Sequence, residues 1–142
     1  METLKKINAE EALQGKPRPH YLVGEVEVSE DLNTLCGTAV FPSSDISVGD
    51  RGHVNVAHKE FAIWSGAHIL ADLNGLENTR VTDILPGRIR GGEFRPDVPA
   101  RMELQISDRR GSERIARGVI RATFVQGEVI SEFGYEWIAS KK

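Results

Sequence analysis

The sequence predicts an α+β fold, a curved antiparallel sheet of about six strands wrapped around one long central helix. Three observations lead there. Stretches such as LVGEVEVS (22–29) and RMELQIS (101–107) alternate apolar and polar residues, as half-buried strands do. The run from Phe61 to Leu73, F-A-I-W-S-G-A-H-I-L-A-D-L, has only His68 and Asp72 as strongly polar residues. A surface helix keeps its apolar stripe to a little over ~100° and a charged face opposite, so a helix apolar nearly all round must be covered. Thirteen residues are too few to cross a bilayer, and 142 residues make one domain, so the cover is the protein's own sheet. The whole chain, 1–142, is read as that single domain.

The elements follow in order. Asn8 to Gln14 form a short helix, with Asn8 as cap and Glu10 and Glu11 in the favourable first turn. GKPRPH (15–20) then breaks the helix and starts extended chain. In LVGEVEVS, Leu22, Gly24, Val26 and Val28 share one face; SEDLN turns, and TLCGTAVF (34–41) completes a hairpin. PSSDISVGD (42–50) is loop, and the long helix follows. Mid-helix Gly66, beside Ser65, Ala62 and Ala67, costs roughly 1 kcal/mol of helix propensity, so a strand or a partner's helix is expected to pass close there. Strand resumes from Arg80, with interruptions at Pro86-Gly87 and Gly91-Gly92, and RMELQIS turns Met102, Leu104 and Ile106 inward. The last hairpin joins RIARGVIRATFV to EVISEFGYEWI through Gln126-Gly127, read as a two-residue turn. Pairing Val125 with Glu128 then sets Arg121 opposite Glu132 and Arg117 opposite Glu136.

Composition narrows the function. With 18 basic and 21 acidic side chains the formal charge is −3, which argues against nonspecific nucleic-acid binding. Nine arginines nevertheless lie between Arg88 and Arg121. They suit either a localised anion, such as a cofactor phosphate or an acidic partner, or ion pairing across strands. The single cysteine, Cys36, excludes an internal disulfide and fits a reducing compartment. No segment has the length of a membrane span, and the N-terminal residues lack a signal peptide's apolar block, so a cytoplasmic protein is expected.

Asp50, His53 and Asn55 crowd the six residues ahead of the apolar helix, in the string DRGHVN. That string, with Tyr21-Leu22, GEVEVSED and GTAVFP before it in the same order, resembles the hot-dog fold acyl thioesterases, and most closely the FcoT-like fatty acyl-CoA and acyl-carrier-protein thioesterases. The likeness runs from Tyr21 to Leu73; the later strands agree by pattern alone. It matches Tyr21 to the family's strand tyrosine, His53 to its histidine and Asn55 to the asparagine that follows. Two polar positions differ: Ser47 stands where those proteins have a tyrosine, and Trp64 where they have a second asparagine on the helix. The resemblance implies an acyl slot between two subunits, hence a homodimer or higher homo-oligomer. It also implies coenzyme A or the phosphopantetheine of an acyl carrier protein as part of the substrate, and no other cofactor.

Thioester hydrolysis needs a polarised carbonyl and an activated water. The first turn of a helix offers unpaired amides and positive potential, so the amides of Asn55 to His58 suit a developing oxyanion, with Val56 and Ala57 read as substrate-binding. Asp50 is the candidate base, Asn55 orients water or the thioester oxygen, and His53 donates a hydrogen bond or holds the loop; Tyr21 and Trp64 line the acyl pocket. Simpler roles stay open, with Asp50 or Asn55 as helix cap, His53 closing the loop, and Tyr21 and Trp64 as core. His53 and His58 are off the i, i+4 spacing of a helical metal pair and no HExxH occurs, so no metal is expected. A dehydratase of this fold wants an acid about fourteen residues after its histidine, where this chain has Ala67. Enoyl-thioester addition, dehydratase or hydratase chemistry and non-catalytic acyl-thioester binding are the alternatives to hydrolysis.

Overall fold

Two lysines in the first strand explain why sequence patterning passes over it. The computed structural model describes residues 3–16, 20–46, 54 and 56–142, and opens with β1 (Thr3–Asn8), which lies at an edge of the sheet. Exposed Lys5 and Lys6 hide its alternation, and such charges protect an edge from further pairing. Asn8 ends the strand and caps α1 (Ala9–Ala12), its Oδ1 accepting the Glu11 N–H at 3.0 Å. There follow β2 (Leu22–Ser29), β3 (Thr34–Ala39), a 3₁₀ turn (Ser43–Asp45), α2 (Val56–Leu73), β4 (Leu76–Arg90), β5 (Ala100–Gly111), β6 (Ile115–Gln126) and β7 (Val129–Lys141). All strand pairs are antiparallel, in the order β1-β2-β3-β5-β6-β7-β4, so the sheet has seven strands where about six were expected.

β4 is one strand from Leu76 through Pro86-Gly87. Its pairing with β7 shifts register between Asp83 and Leu85 and again between Leu85 and Arg88, and it forms the other edge of the sheet. Bulges at an edge are where a residue without an N–H is tolerated.

The last hairpin corrects the expected register by two residues. Gln126 pairs with Val129, so the turn is Gly127-Glu128 and Gly127 takes its first position with φ +61°. Glycine in that first position is the requirement of a type II′ turn; placing it second moves every partner by two. A two-residue shift keeps each side chain on its expected face, so Ile120, Ala122 and Phe124 still point into the core. The ion pairs change. Glu136 still meets Arg117, diagonally, at 3.8 Å, whereas Glu132 is taken by Arg90 of β4 at 2.9 Å in place of Arg121.

Helix α2 lies in the concave face of this sheet. Lys59, Ile63, Gly66 and Leu70 form a buried stripe at helical spacing. A Cβ on Gly66 would stand 3.1 Å from Met102 Cε and 3.2 Å from Leu104 Cδ1, so strand β5 is the close neighbour that the glycine admits. The hydroxyl of buried Ser65 is satisfied within the helix by the Phe61 carbonyl at 2.8 Å. The covering is not complete, contrary to the expectation of a fully wrapped helix. Val56 and Phe61 are each 43% exposed, Ala57 is exposed and Trp64 is half-buried.

The arginines do not form one surface. Arg90, Arg95 and Arg101 stand at the end of the sheet where α2 begins, while Arg109, Arg110, Arg114 and Arg117 stand where it ends. Arg109 bonds Asn33 Oδ1 and Asn74 Oδ1, both at 3.0 Å, and so ties the end of α2 to the β2–β3 turn. Cys36 is buried, and burial raises its thiol pKa, as suits an inert packing residue.

Replacing Gly66 with Val is expected to lower unfolding free energy by about 1–3 kcal/mol through overpacking against Met102 and Leu104. An unchanged denaturant midpoint would show that the helix and β5 are not in tight contact.

Candidate active site

The polar residues gathered at the start of α2 depend on one strained backbone position. Tyr21, the residue before β2, has φ +62°, and its carbonyl accepts the Val40 N–H at 3.0 Å. A bulky side chain rarely adopts this left-handed conformation, which costs on the order of 1–3 kcal/mol and persists only where the surroundings impose it. Here the surroundings are aromatic. The Tyr21 ring lies 5.1 Å from Phe41, 6.1 Å from the His58 ring and 6.3 Å from Phe61, centroid to centroid. Its hydroxyl donates to the Asp45 carboxylate. Burial, reinforced by the charge of Asp45, pushes its pKa up to about 12.

His58 completes the cluster from the first turn of α2. Its Nε2 donates to the Asp45 main-chain carbonyl at 3.2 Å, because a carbonyl can only accept. In the neutral ring this bond leaves Nδ1 as the nitrogen with the lone pair. Asp45 thus receives Tyr21 on its side chain and His58 on its backbone, and both rings are buried.

Beside this cluster runs an apolar groove of about 480 Å³, lined by Ala57, Glu60, Phe61, Trp64 and Val81. Phe61 belongs to both features. Trp64 is steadied by His68, whose ring meets it edge-on with centroids 4.1 Å apart. Burial lowers the His68 pKa and nearby Lys16 lowers it further, against a smaller opposing effect of Asp72.

On the opposite side of the helix, Lys59 is fully buried. Its Nζ lies 3.3 Å from Ser131 Oγ and 4.2 Å from the centroid of the Phe94 ring. A hydroxyl and a cation–π contact offset only part of the cost of dehydrating an ammonium, and the first turn of a helix is the unfavourable end for a cation. Burial accordingly lowers the Lys59 pKa to about 8.

The structure therefore brings Tyr21, Ala57 and Trp64 to one region. Val56 begins the same helix but stands exposed, outside the groove wall. Asp50, His53 and Asn55 lie outside the described residues. Asp45, Lys59 and Phe61 were not anticipated as site residues, and of His58 only the backbone amide was. For Lys59 the signal was there, since it stands at i, i+4, i+7 and i+11 with Ile63, Gly66 and Leu70. For Asp45 there was none, because its partners come from β2 and α2.

Two titrations check these environments. One tyrosine is expected to resist ionisation to about pH 12 in an ultraviolet titration, and Asp45→Asn should bring it down; an ordinary value in the native protein would contradict the burial described. The lysine bears on stability. The unfolded chain holds its proton up to the ordinary value of 10.5 and the folded chain only to about 8, so the penalty is full below pH 8 and is relieved as pH rises to 10.5. That difference amounts to about 3 kcal/mol. Lys59→Met is expected to raise unfolding free energy at pH 7 and to flatten its pH dependence across that window. A methionine variant less stable than the parent at pH 7 would show that the ammonium is compensated.

No protein-family model matches the chain, and no curated protein matches it. Solved structures do. A putative thioesterase related to phenylacetic acid degradation from Ralstonia eutropha superposes with TM-score 0.56 at 12% identity, over 92% of this chain and 97% of that one. A hypothetical thioesterase from Streptococcus pneumoniae, solved with coenzyme A, gives TM-score 0.56 at 9% identity over 78% and 85%. The dehydratase heterocomplex ApeI:P from Xenorhabdus doucetiae gives 0.57 at 11% over 97% and 93%. At such identities the likeness concerns architecture, and it does not extend to the narrower FcoT-like resemblance. This chain's curled antiparallel sheet of seven strands around one long helix superposes on these proteins, and the chain has the hot-dog fold.

Proposed function

We propose that the protein is an acyl thioesterase that hydrolyses an acyl-CoA or acyl-carrier-protein thioester. The observation that carries this reading is the apolar groove along the first turns of α2, adjoining the Tyr21–Asp45–His58 cluster. An acyl chain fits apolar walls, and its thioester carbonyl then lies near the positive end of a helix, where amides favour a developing oxyanion. In this reading Tyr21, Trp64 and Ala57 shape the acyl end of the site, exposed Val56 lies beside it, and Asp50, His53 and Asn55 supply polar groups at the mouth.

Phe61 in the groove wall and neighbouring Val56 are each 43% exposed. We assign the groove's cover to a second copy of the chain, with the α2 helices facing each other, because a contiguous apolar face is costly to leave wet. Neither coenzyme A nor a carrier protein is preferred by the arginines, which stand at both ends of the sheet. A reducing compartment is the expectation from the single Cys36, and the cytoplasm is our proposal on that ground. Among the described residues no helix is long and apolar enough to cross a membrane.

The dehydratase among the structural neighbours supports a second reading, hydration or dehydration of an enoyl thioester. Against it, Ala67 is buried and carries no acid. Incubation with acyl-CoA thioesters of graded length should release free thiol, and Asp50→Ala or Asn55→Ala should lower kcat by roughly 100-fold or more. Thiol release from none of them, with loss of an enoyl thioester's conjugation instead, would select the second reading. Size-exclusion with light scattering should show a dimer that Phe61→Asp converts to an inactive monomer. A monomeric parent protein would remove the shared groove.

A further inference from the structure

Four side chains of α2 stand in one row, Ala57, Phe61, Trp64 and His68, at i, i+4, i+7 and i+11. The first three line the apolar groove, with Glu60 at their flank and Val81 contributed by β4. His68 is buried behind them. Its ring meets the Trp64 indole edge-on at 83° with centroids 4.1 Å apart, tighter than the separation of about 4.5–7 Å usual for aromatic pairs. Side chains of a helix lean toward its N-terminus, so His68 leans onto Trp64. One turn further along, Lys16 and Asp72 pair at 3.9 Å, and the row ends in charges.

This row gives the groove a start, a length and an end. A thioester carbonyl held by the first turn of α2 lies beside Ala57. From Ala57 to Trp64 the helix advances seven residues, or about 10 Å along its axis. A fully extended hydrocarbon chain advances about 1.3 Å per carbon, as C–C bonds of about 1.5 Å dictate. About eight carbons therefore span the distance before the chain meets the indole. The indole has no room to swing toward the C-terminal end of the helix, because the imidazole of His68 occupies that side. Each methylene laid on an apolar wall strengthens binding roughly fourfold, whereas one driven against a fixed ring gains nothing.

We propose that Trp64 sets the acyl length this site accepts, with His68 as its positioning residue, and that the substrates are thioesters of straight acyl chains of about eight carbons. The inference rests on the thioesterase reading above.

Hydrolysis of butyryl-, octanoyl-, dodecanoyl- and palmitoyl-CoA should show kcat/KM highest with octanoyl-CoA. Trp64→Ala opens a further turn, about 6 Å, up to His68, and should raise the ratio of dodecanoyl to octanoyl kcat/KM roughly tenfold or more. Trp64→Leu, which leaves a smaller hole in the wall, should raise it less. His68→Ala should raise the same ratio by releasing the indole, and His68→Phe, which keeps an aromatic edge against it, should restore the parent's ratio. S-alkyl-CoA thioethers, which cannot be hydrolysed, give a readout independent of turnover: their calorimetric affinity for the unmutated protein should stop rising near S-octyl-CoA. A ratio that neither Trp64 variant changes, or an affinity that keeps rising to S-dodecyl-CoA, overturns the length assignment and leaves the thioesterase standing. A His68→Ala ratio equal to the parent's overturns the positioning role. Thioethers that show the break while no thioester is hydrolysed overturn the thioesterase and support the stop for a bound acyl group. Neither hydrolysis nor thioether binding overturns both.

Discussion

The close approach of α2 to strand β5 is the constraint on which the rest of the molecule depends. At Gly66 the gap between helix and sheet leaves no room for a Cβ without moving Met102 and Leu104. A helix held this close turns Lys59, Ile63 and Leu70 into the core along with the glycine. Its opposite side, with Ala57, Phe61 and Trp64, is thereby left as the wall of a groove. The helix-propensity cost of a mid-helix glycine is thus offset by dispersion contacts along the whole buried stripe.

The same placement explains why polar groups concentrate at one end. The start of α2 is where backbone amides lack partners inside the helix, and it meets the 3₁₀ turn and the residue before β2. Tyr21, Asp45 and His58 come from three separate elements and satisfy one another there. Lys59 is the exception. Among the described residues its ammonium meets the Ser131 hydroxyl and aromatic faces, it opposes the helix dipole, and burial leaves its proton weakly held.

At the other end of the helix the polar contacts are structural. Asn74 donates to the Leu70 and Leu32 carbonyls and accepts from Arg109, so the helix terminus and the β2–β3 turn share one set of bonds. Arg90 and Arg117 pair with β7 glutamates. Arginines that a sequence reading groups by proximity along the chain are thus separated by the length of the strands that carry them.

Read alone, the sequence determined the fold class, the central helix and the inward face of β5. These are legible because burial repeats with the period of each element, two for a strand and 3.6 for a helix, and because the apolar run of α2 has no charged face. Tertiary structure decided the rest. The glycine of the last turn takes the first position instead of the second, which moved each partner by two without changing its face, so no pattern of burial could reveal it. β1 is an edge strand whose lysines mask its alternation. Asp45, His58 and Lys59 acquire their chemistry from neighbours far away in the chain, and a side chain's partner across a folded core has no periodic signature in sequence.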